Sequence, residues 1–179
     1  MIRVLGLSLY GPQAASHRVR LSQFQLGLAS KSIILEIQSL LDNDYLQRSF
    51  AGRRPSMRAL ISAYCRRIKS LCQADRFDLV IVHCELLPFL PSWLELPFLK
   101  IPFIYDLDDA FYLKYRTSSL QWLQLLLGAK FERMMAAAFA VTAGNAELVA
   151  YAKRLSSNVT LLPSVVDTDH YLPADPQPS

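Results

Sequence analysis

Short apolar runs of strand length alternate with stretches whose apolar residues recur every three to four positions, along nearly the whole chain. That alternation admits few folds, because strands separated by helices pair in parallel and bury both faces of their sheet. The strand-like runs are residues 2–9, 33–37, 77–83, 102–105, 139–142 and 159–162. Helical spacing runs from Ser16, read as an N-cap, through Val19, Leu21, Phe24 and Leu28 to Ser30. The clearest helix covers residues 56–74, with Met57, Leu60, Ile61, Tyr64, Ile68, Leu71 and Cys72 as its apolar stripe. In this reading Arg58, Arg66, Arg67 and Lys69 take its other faces. A further helix is marked by Leu120, Leu123, Leu127, Phe131, Met134 and Ala138. Asn145 caps a short one with Glu147 in its first turn. Asp42-Asn43-Asp44 reads as a polar loop. The expected fold is α/β, a doubly wound, mostly parallel sheet in one domain over residues 1–172. Residues 173–179 hold three prolines and read as a linker or tail.

With 52% apolar residues the chain has the composition of a folded domain, not a disordered one. The net charge of +4 is mild, but Arg48, Arg53, Arg54, Arg58, Arg66, Arg67 and Lys69 crowd one stretch. Such a stretch is a solvated helix face or a patch that meets anionic lipid, a phosphorylated substrate or nucleic acid. The three cysteines make a poor disulfide framework. Cys65 and Cys72 share a helix about 10 Å apart, beyond bridging distance. All three are expected to be buried and reduced. Neither Cys-x-x-Cys nor His-x-x-x-His occurs, so no metal site is expected. The most apolar region, residues 86–103, carries four prolines and two charges and does not read as a membrane span. No signal peptide is visible, and the expected location is the cytoplasm.

In open parallel sheets, ligands bind beyond the carboxyl ends of the strands. That rule selects four places. The first is the loop after the first strand: Gly11 and Pro12, then Ser16, His17, Arg18 and Arg20, where glycine lets backbone approach a ligand and positive charge surrounds a helix start. The loop is neither Gly-x-Gly-x-x-Gly nor a P-loop, which argues against NAD and ATP hydrolysis. The second is His83-Cys84-Glu85, with Glu85 able to bond a sugar hydroxyl. The third is Tyr105-Asp106-Leu107-Asp108-Asp109, whose crowded carboxylates require compensation by Arg, a metal or hydrogen-bond donors. The fourth is Thr142-Ala143-Gly144-Asn145, another strand end meeting a helix.

Four passages together resemble the N-terminal domain of retaining, family-4-like glycosyltransferases with the GT-B fold. They are Gly11-Pro12 with Ser16-His17-Arg18-Val19-Arg20; Tyr105-Asp106-Leu107-Asp108-Asp109-Ala110; Ala143-Gly144-Asn145 with Leu148 and Tyr151-Ala152; and residues 158–163 continuing to Val166-Asp167-Thr168-Asp169-His170-Tyr171. The resemblance implies two Rossmann-like domains facing across a cleft, this one holding the acceptor and a second holding a nucleotide-sugar. It implies no cofactor beyond that substrate, no metal and no nucleic acid. It assigns Gly11 and Pro12 to the donor-diphosphate loop and Ser16, His17, Arg18, Arg20, Glu85 and Asn145 to the acceptor side. Asp106, Asp108 and Asp109 fall at the reaction centre, with Tyr105 where many relatives carry His. Relatives also carry a Glu-x7-Glu pair in the second domain, and no two glutamates here stand eight apart. The expectation is therefore half a glycosyltransferase, inactive by itself or completed by a separate chain, acting on a glycan or lipid-linked acceptor.

Two alternatives stand beside it. A haloacid dehalogenase-type phosphatase would use Asp106 and Asp108, with Thr142, Lys153, Asp167 and Asp169 following in order. Against it, Asp109 stands where glycine is usual, and about a hundred residues precede the motif. A non-catalytic module would bind a sugar, a partner or the inner face of a membrane through the basic helix and the apolar segment near Trp93 and Phe98.

Overall fold

A computed structural model describes residues 1–166. Its six strands form a single all-parallel sheet in the order β2-β1-β3-β4-β5-β6. They are β1 (Ile2–Tyr10), β2 (Ile33–Leu41), β3 (Leu79–His83), β4 (Phe103–Leu107), β5 (Ala140–Ala143) and β6 (Val159–Leu161). Helices flank the sheet, giving the expected doubly wound, Rossmann-like α/β fold. The direction of winding reverses between β1 and β3, and that reversal opens a crevice at their carboxyl ends.

The intervening helices are α1 (Ala15–Arg20), α2 (Gln25–Ala29), α3 (Asn43–Phe50), α4 (Met57–Cys72), α5 (Ser92–Glu95), α6 (Leu113–Arg116), α7 (Gln121–Leu127), α8 (Lys130–Ala137) and α9 (Ala146–Ala152). Several depart from the sequence reading for identifiable reasons. Ser16 lies inside α1, and the N-cap is Ala14, with no side-chain cap. The helix expected over 16–30 breaks at Leu21, whose φ of −130° takes it out of helical geometry. Asp42 opens α3 in place of a loop: its carboxylate accepts from Tyr45 N at 3.0 Å. The 120–138 helix divides at Gly128, where a Cβ would lie 2.4 Å from the Gln124 carbonyl oxygen. Asn145 does cap α9, accepting from Leu148 N at 2.8 Å.

The buried line of α4 is Ala63, Arg67 and Leu71, whereas Met57, Ile61, Ile68 and Cys72 are exposed. The helix is thus rotated from the expected stripe, and Arg67 is fully buried instead of facing solvent. Cys65 is exposed as well; only Cys84 is buried.

Residues 4–9 of β1 are all buried, as a central parallel strand requires. On one face of β3–β5, Val80, Val82, Phe103, Tyr105 and Val141 pack with Leu127, Phe131, Met134 and Met135 into the main core. The opposite face is less closed: Ile81, Ile104 and Thr142 remain half-buried. A groove of about 240 Å³ there is lined by Arg20, Leu21, Phe24, Leu28, Leu35, Ile81 and Leu162. Among the described residues no helix is long and apolar enough to cross a membrane. The expected hinge-like segment over Asp167–Tyr171 and the tail after it lie outside the described residues.

Candidate functional site

The carboxyl ends of β1, β3, β4 and β5 meet along one rim. The register aligns His83 with Asp106 and Asp106 with Thr142, so these three side chains arise side by side. Asp106 is the hub. Its carboxylate receives two hydrogen bonds from the Arg20 guanidinium, one from His83 Nδ1 at 2.9 Å and one from the Thr142 hydroxyl. Burial alone would raise its pKa. The His83 and Arg20 hydrogen bonds outweigh that and lower it to about 2. Arg20 also donates to the Leu162 carbonyl, tying α1 to the chain beyond β6.

This hub corrects two assignments. Arg20 is 5% exposed and committed to Asp106, so it does not reach toward an acceptor. Both oxygens of Asp106 are engaged and the residue is 3% exposed, so it offers no free nucleophile to a phosphate ester. Asp106 positions other groups; its own oxygens do not face the crevice.

Glu85 is corrected in the same way. It is buried, with Oε1 accepting from Lys130 at 2.8 Å and Tyr115 at 2.6 Å, and Oε2 accepting from Lys114 at 2.6 Å. Burial opposes its charge, but Lys130 and Lys114 hold its pKa below the usual carboxylate value. Lys130 also pairs with Glu95 at 2.9 Å. This buried network was invisible to periodicity. It pins α5, α6 and α8 to the end of β3.

Glu95 carries a pH consequence. Burial pushes its pKa up to about 7, against the opposing pull of Lys130. The folded state then keeps that proton to higher pH than the unfolded state, so stability falls as pH rises from about 4.5 toward 7. The full swing is roughly 3 kcal/mol. Glu95→Gln is expected to flatten that slope in urea titrations taken at several pH values. An unchanged slope would place the titration elsewhere.

The loop after β1 is built from within. Gly11 lets Asn43 approach closely: a Cβ would fall 2.8 Å from Asn43 Oδ1, which itself accepts from Gln13 N at 3.2 Å, so a side chain at 11 would displace Asn43 from that bond. The close approach expected for a ligand at Gly11 is thus made by α3. Pro12 is exposed. Arg18 donates to the Pro12 and Gln13 carbonyls at 3.0 and 2.8 Å and holds the loop.

His17 lies behind this loop. Its Nδ1 is 3.1 Å from the Tyr10 carbonyl oxygen, which can only accept, so Nδ1 carries the ring proton. Ser8 Oγ is also 3.1 Å from Nδ1. Burial lowers the His17 pKa, with His83 and Arg18 adding to the effect. The neutral ring therefore presents the Nε2 lone pair, which has no partner among the described residues.

The other expected residues divide. Asp108 stays partly open, with Oδ2 3.7 Å from His83 Nε2 and Oδ1 3.9 Å from Cys84 Sγ. Asp109 accepts from Ala110 N at 2.7 Å and closes a turn. Asn145 is exposed at the same rim and acts as the α9 cap. Cys84 itself was missed: it holds φ at +64°, a costly backbone for a residue with a Cβ, and thereby keeps Sγ 3.1 Å from His83 Nε2.

The chain matches no known family's sequence profile, and no curated protein matches it.

Proposed function

We propose that this domain is the acceptor-side half of a two-domain, GT-B-type glycosyltransferase, with a second Rossmann-like domain holding the nucleotide-sugar. The observation that carries the reading is the rim: the Gly11 loop, His17, Asp108 and the Gly144-Asn145 turn gather beyond the carboxyl ends of one parallel sheet, at its reversal point. Asp108, partly open, and Asn145, exposed, border the crevice and accept hydrogen bonds from acceptor hydroxyls, while His17, 4% exposed, holds the loop from behind. Exposed Pro12, on the loop that Gly11 seats against α3, forms the lip that meets the donor diphosphate. A lipid-linked acceptor is the version favoured by exposed apolar side chains: Phe89, Trp93, Trp122 and Leu125 are 64%, 58%, 61% and 90% exposed.

One wall of a cleft cannot orient donor against acceptor, and orientation with electrostatic stabilisation supplies most of the acceleration. The isolated 179-residue chain is therefore expected neither to transfer sugar nor to hydrolyse nucleotide-sugars. In saturation-transfer NMR against a panel of free and lipid-linked glycosides it is expected to bind at least one, and Asp108→Ala to weaken that binding about tenfold, the loss of one hydrogen bond to a charged group. Turnover by the chain alone, or no binding across the panel, would sink the proposal.

A further inference from the structure

We infer that His83, Cys84 and Asp108 form a binding site for a divalent transition-metal ion, with Zn²⁺ the best match. The inference stands apart from the sugar-transfer reading and does not rest on it.

Three donor types converge here from the ends of two neighbouring strands. His83 Nε2, Cys84 Sγ and a carboxylate oxygen of Asp108 all lie within 4.8 Å of one another. His83 Nε2 lies 3.1 Å from Cys84 Sγ and 3.7 Å from Asp108 Oδ2, and Sγ lies 3.9 Å from the other Asp108 oxygen, Oδ1. Tetrahedral zinc with ordinary bond lengths needs ligand separations of about 3.4–3.6 Å. The observed values lie on either side of that range, and rotation of the partly open Asp108 carboxylate to bring one oxygen toward both Nε2 and Sγ completes the triangle. A mixed nitrogen, sulfur and oxygen set suits zinc and related ions, and it disfavours magnesium and calcium.

The surroundings are those of a ligand histidine. His83 Nδ1 donates to Asp106 Oδ2 at 2.9 Å, which fixes the ring and turns the Nε2 lone pair toward Cys84 and Asp108. Asp106 is in turn held by Arg20 and Thr142. The charge count agrees. Asp106 is matched by Arg20, and Glu85 and Glu95 are matched by Lys114 and Lys130. Asp108 forms no ion pair with Lys or Arg among the described residues. On metal entry the Cys84 thiol loses its proton to solvent, and the thiolate with Asp108 supplies two negative charges for one dication. The Asp108 side chain is 16% exposed, which leaves the fourth coordination position facing the crevice.

Spacing rules could not reveal this cluster, because His83 and Cys84 are adjacent and Asp108 comes from the next strand. Cys-x-x-Cys and His-x-x-x-His describe ligands within one segment, whereas these three come from two strand ends.

The test is titration of the dialysed chain with Co²⁺, followed by Zn²⁺. One equivalent of Co²⁺ is expected to produce a near-ultraviolet thiolate-to-cobalt band, abolished when Zn²⁺ displaces it. The band is expected to persist in Cys65→Ser/Cys72→Ser, whose thiols are exposed, and to vanish in Cys84→Ser. Asp108→Asn, at a partly open position, is expected to keep the fold and weaken Co²⁺ binding at least tenfold. No band, a band that survives Cys84→Ser, or undiminished affinity in Asp108→Asn overturns the assignment. If Cys84→Ser does not fold, the Asp108→Asn affinity decides.

Discussion

Asp106→Ala is expected to lower the unfolding free energy by about 3–5 kcal/mol, a large share of the stability of a domain this size. The reason is what the substitution leaves behind. Arg20 is 5% exposed and donates two of its three hydrogen bonds to this carboxylate, its one ion-pair partner among the described residues, so its charge would remain buried without a paired counterion. A surface ion pair would contribute at most about 1 kcal/mol, so a loss that small would refute the hub. Arg20→Met alone is expected to cost a similar amount, and Asp106→Leu/Arg20→Met less than the sum of its single changes. Acid gives an independent reading. With its folded pKa lowered to about 2, Asp106 stabilises the protein fully above the unfolded carboxylate value. That contribution, about 2 kcal/mol, fades as pH falls from about 4 to 2 and is absent in the alanine variant.

Arg67→Ala is expected to cost about 4 kcal/mol, although the residue touches no carboxylate. Its guanidinium donates to the carbonyls of Ser8, Gln38 and Leu86, which belong to β1, to β2 and to the segment after β3. Burial pushes its pKa down to about 9, still charged at neutral pH. Removal opens a cavity and orphans three carbonyls, each costing about 1–3 kcal/mol if left unpaired. Arg67→Met restores the volume without the donors and is expected to recover less than half. Arg67→Lys is expected to fall between, since one ammonium cannot span three strand ends. Guanidinium denaturation would check the order. A methionine variant as stable as the parent would mean that the carbonyls have found other donors.

The sheet was legible because each strand is a run of apolar residues between breaks, and parallel order follows from the helices between them. β3 begins two residues later than its apolar run, at Leu79, because Asp78 stays outside it, receiving Arg3 N at 2.7 Å. The missed helix α3 shows the limit of composition: Asp42-Asn43-Asp44 reads as loop, yet the first of the three is a cap. Arg67 does carry a signal in the sequence. It stands on the 60, 63, 67 and 71 line of α4, and a charge on such a line is either an interruption or a buried donor. At the rim, the residue types were readable but their partners were not. Whether Glu85 meets water or Lys130 depends on a helix forty-five positions away. The pairing of His83 with Asp106, and so the meeting of Cys84 with Asp108, depends on strand register, which no local pattern encodes.

The position of β1 has a consequence for how the chain is made. It hydrogen-bonds to β2 on one side and to β3 on the other, with Val4 beside Leu79. During translation the first two strands emerge long before the third, separated by about 40 residues of helix and loop. At ordinary elongation rates of about 5–20 residues per second, the inner edge of β1 waits roughly two to eight seconds for its partner. Through that interval an apolar strand edge, buried in the finished protein, is open to any neighbouring nascent chain. The hazard of mispairing at that edge therefore peaks in those seconds, well before the rim has formed.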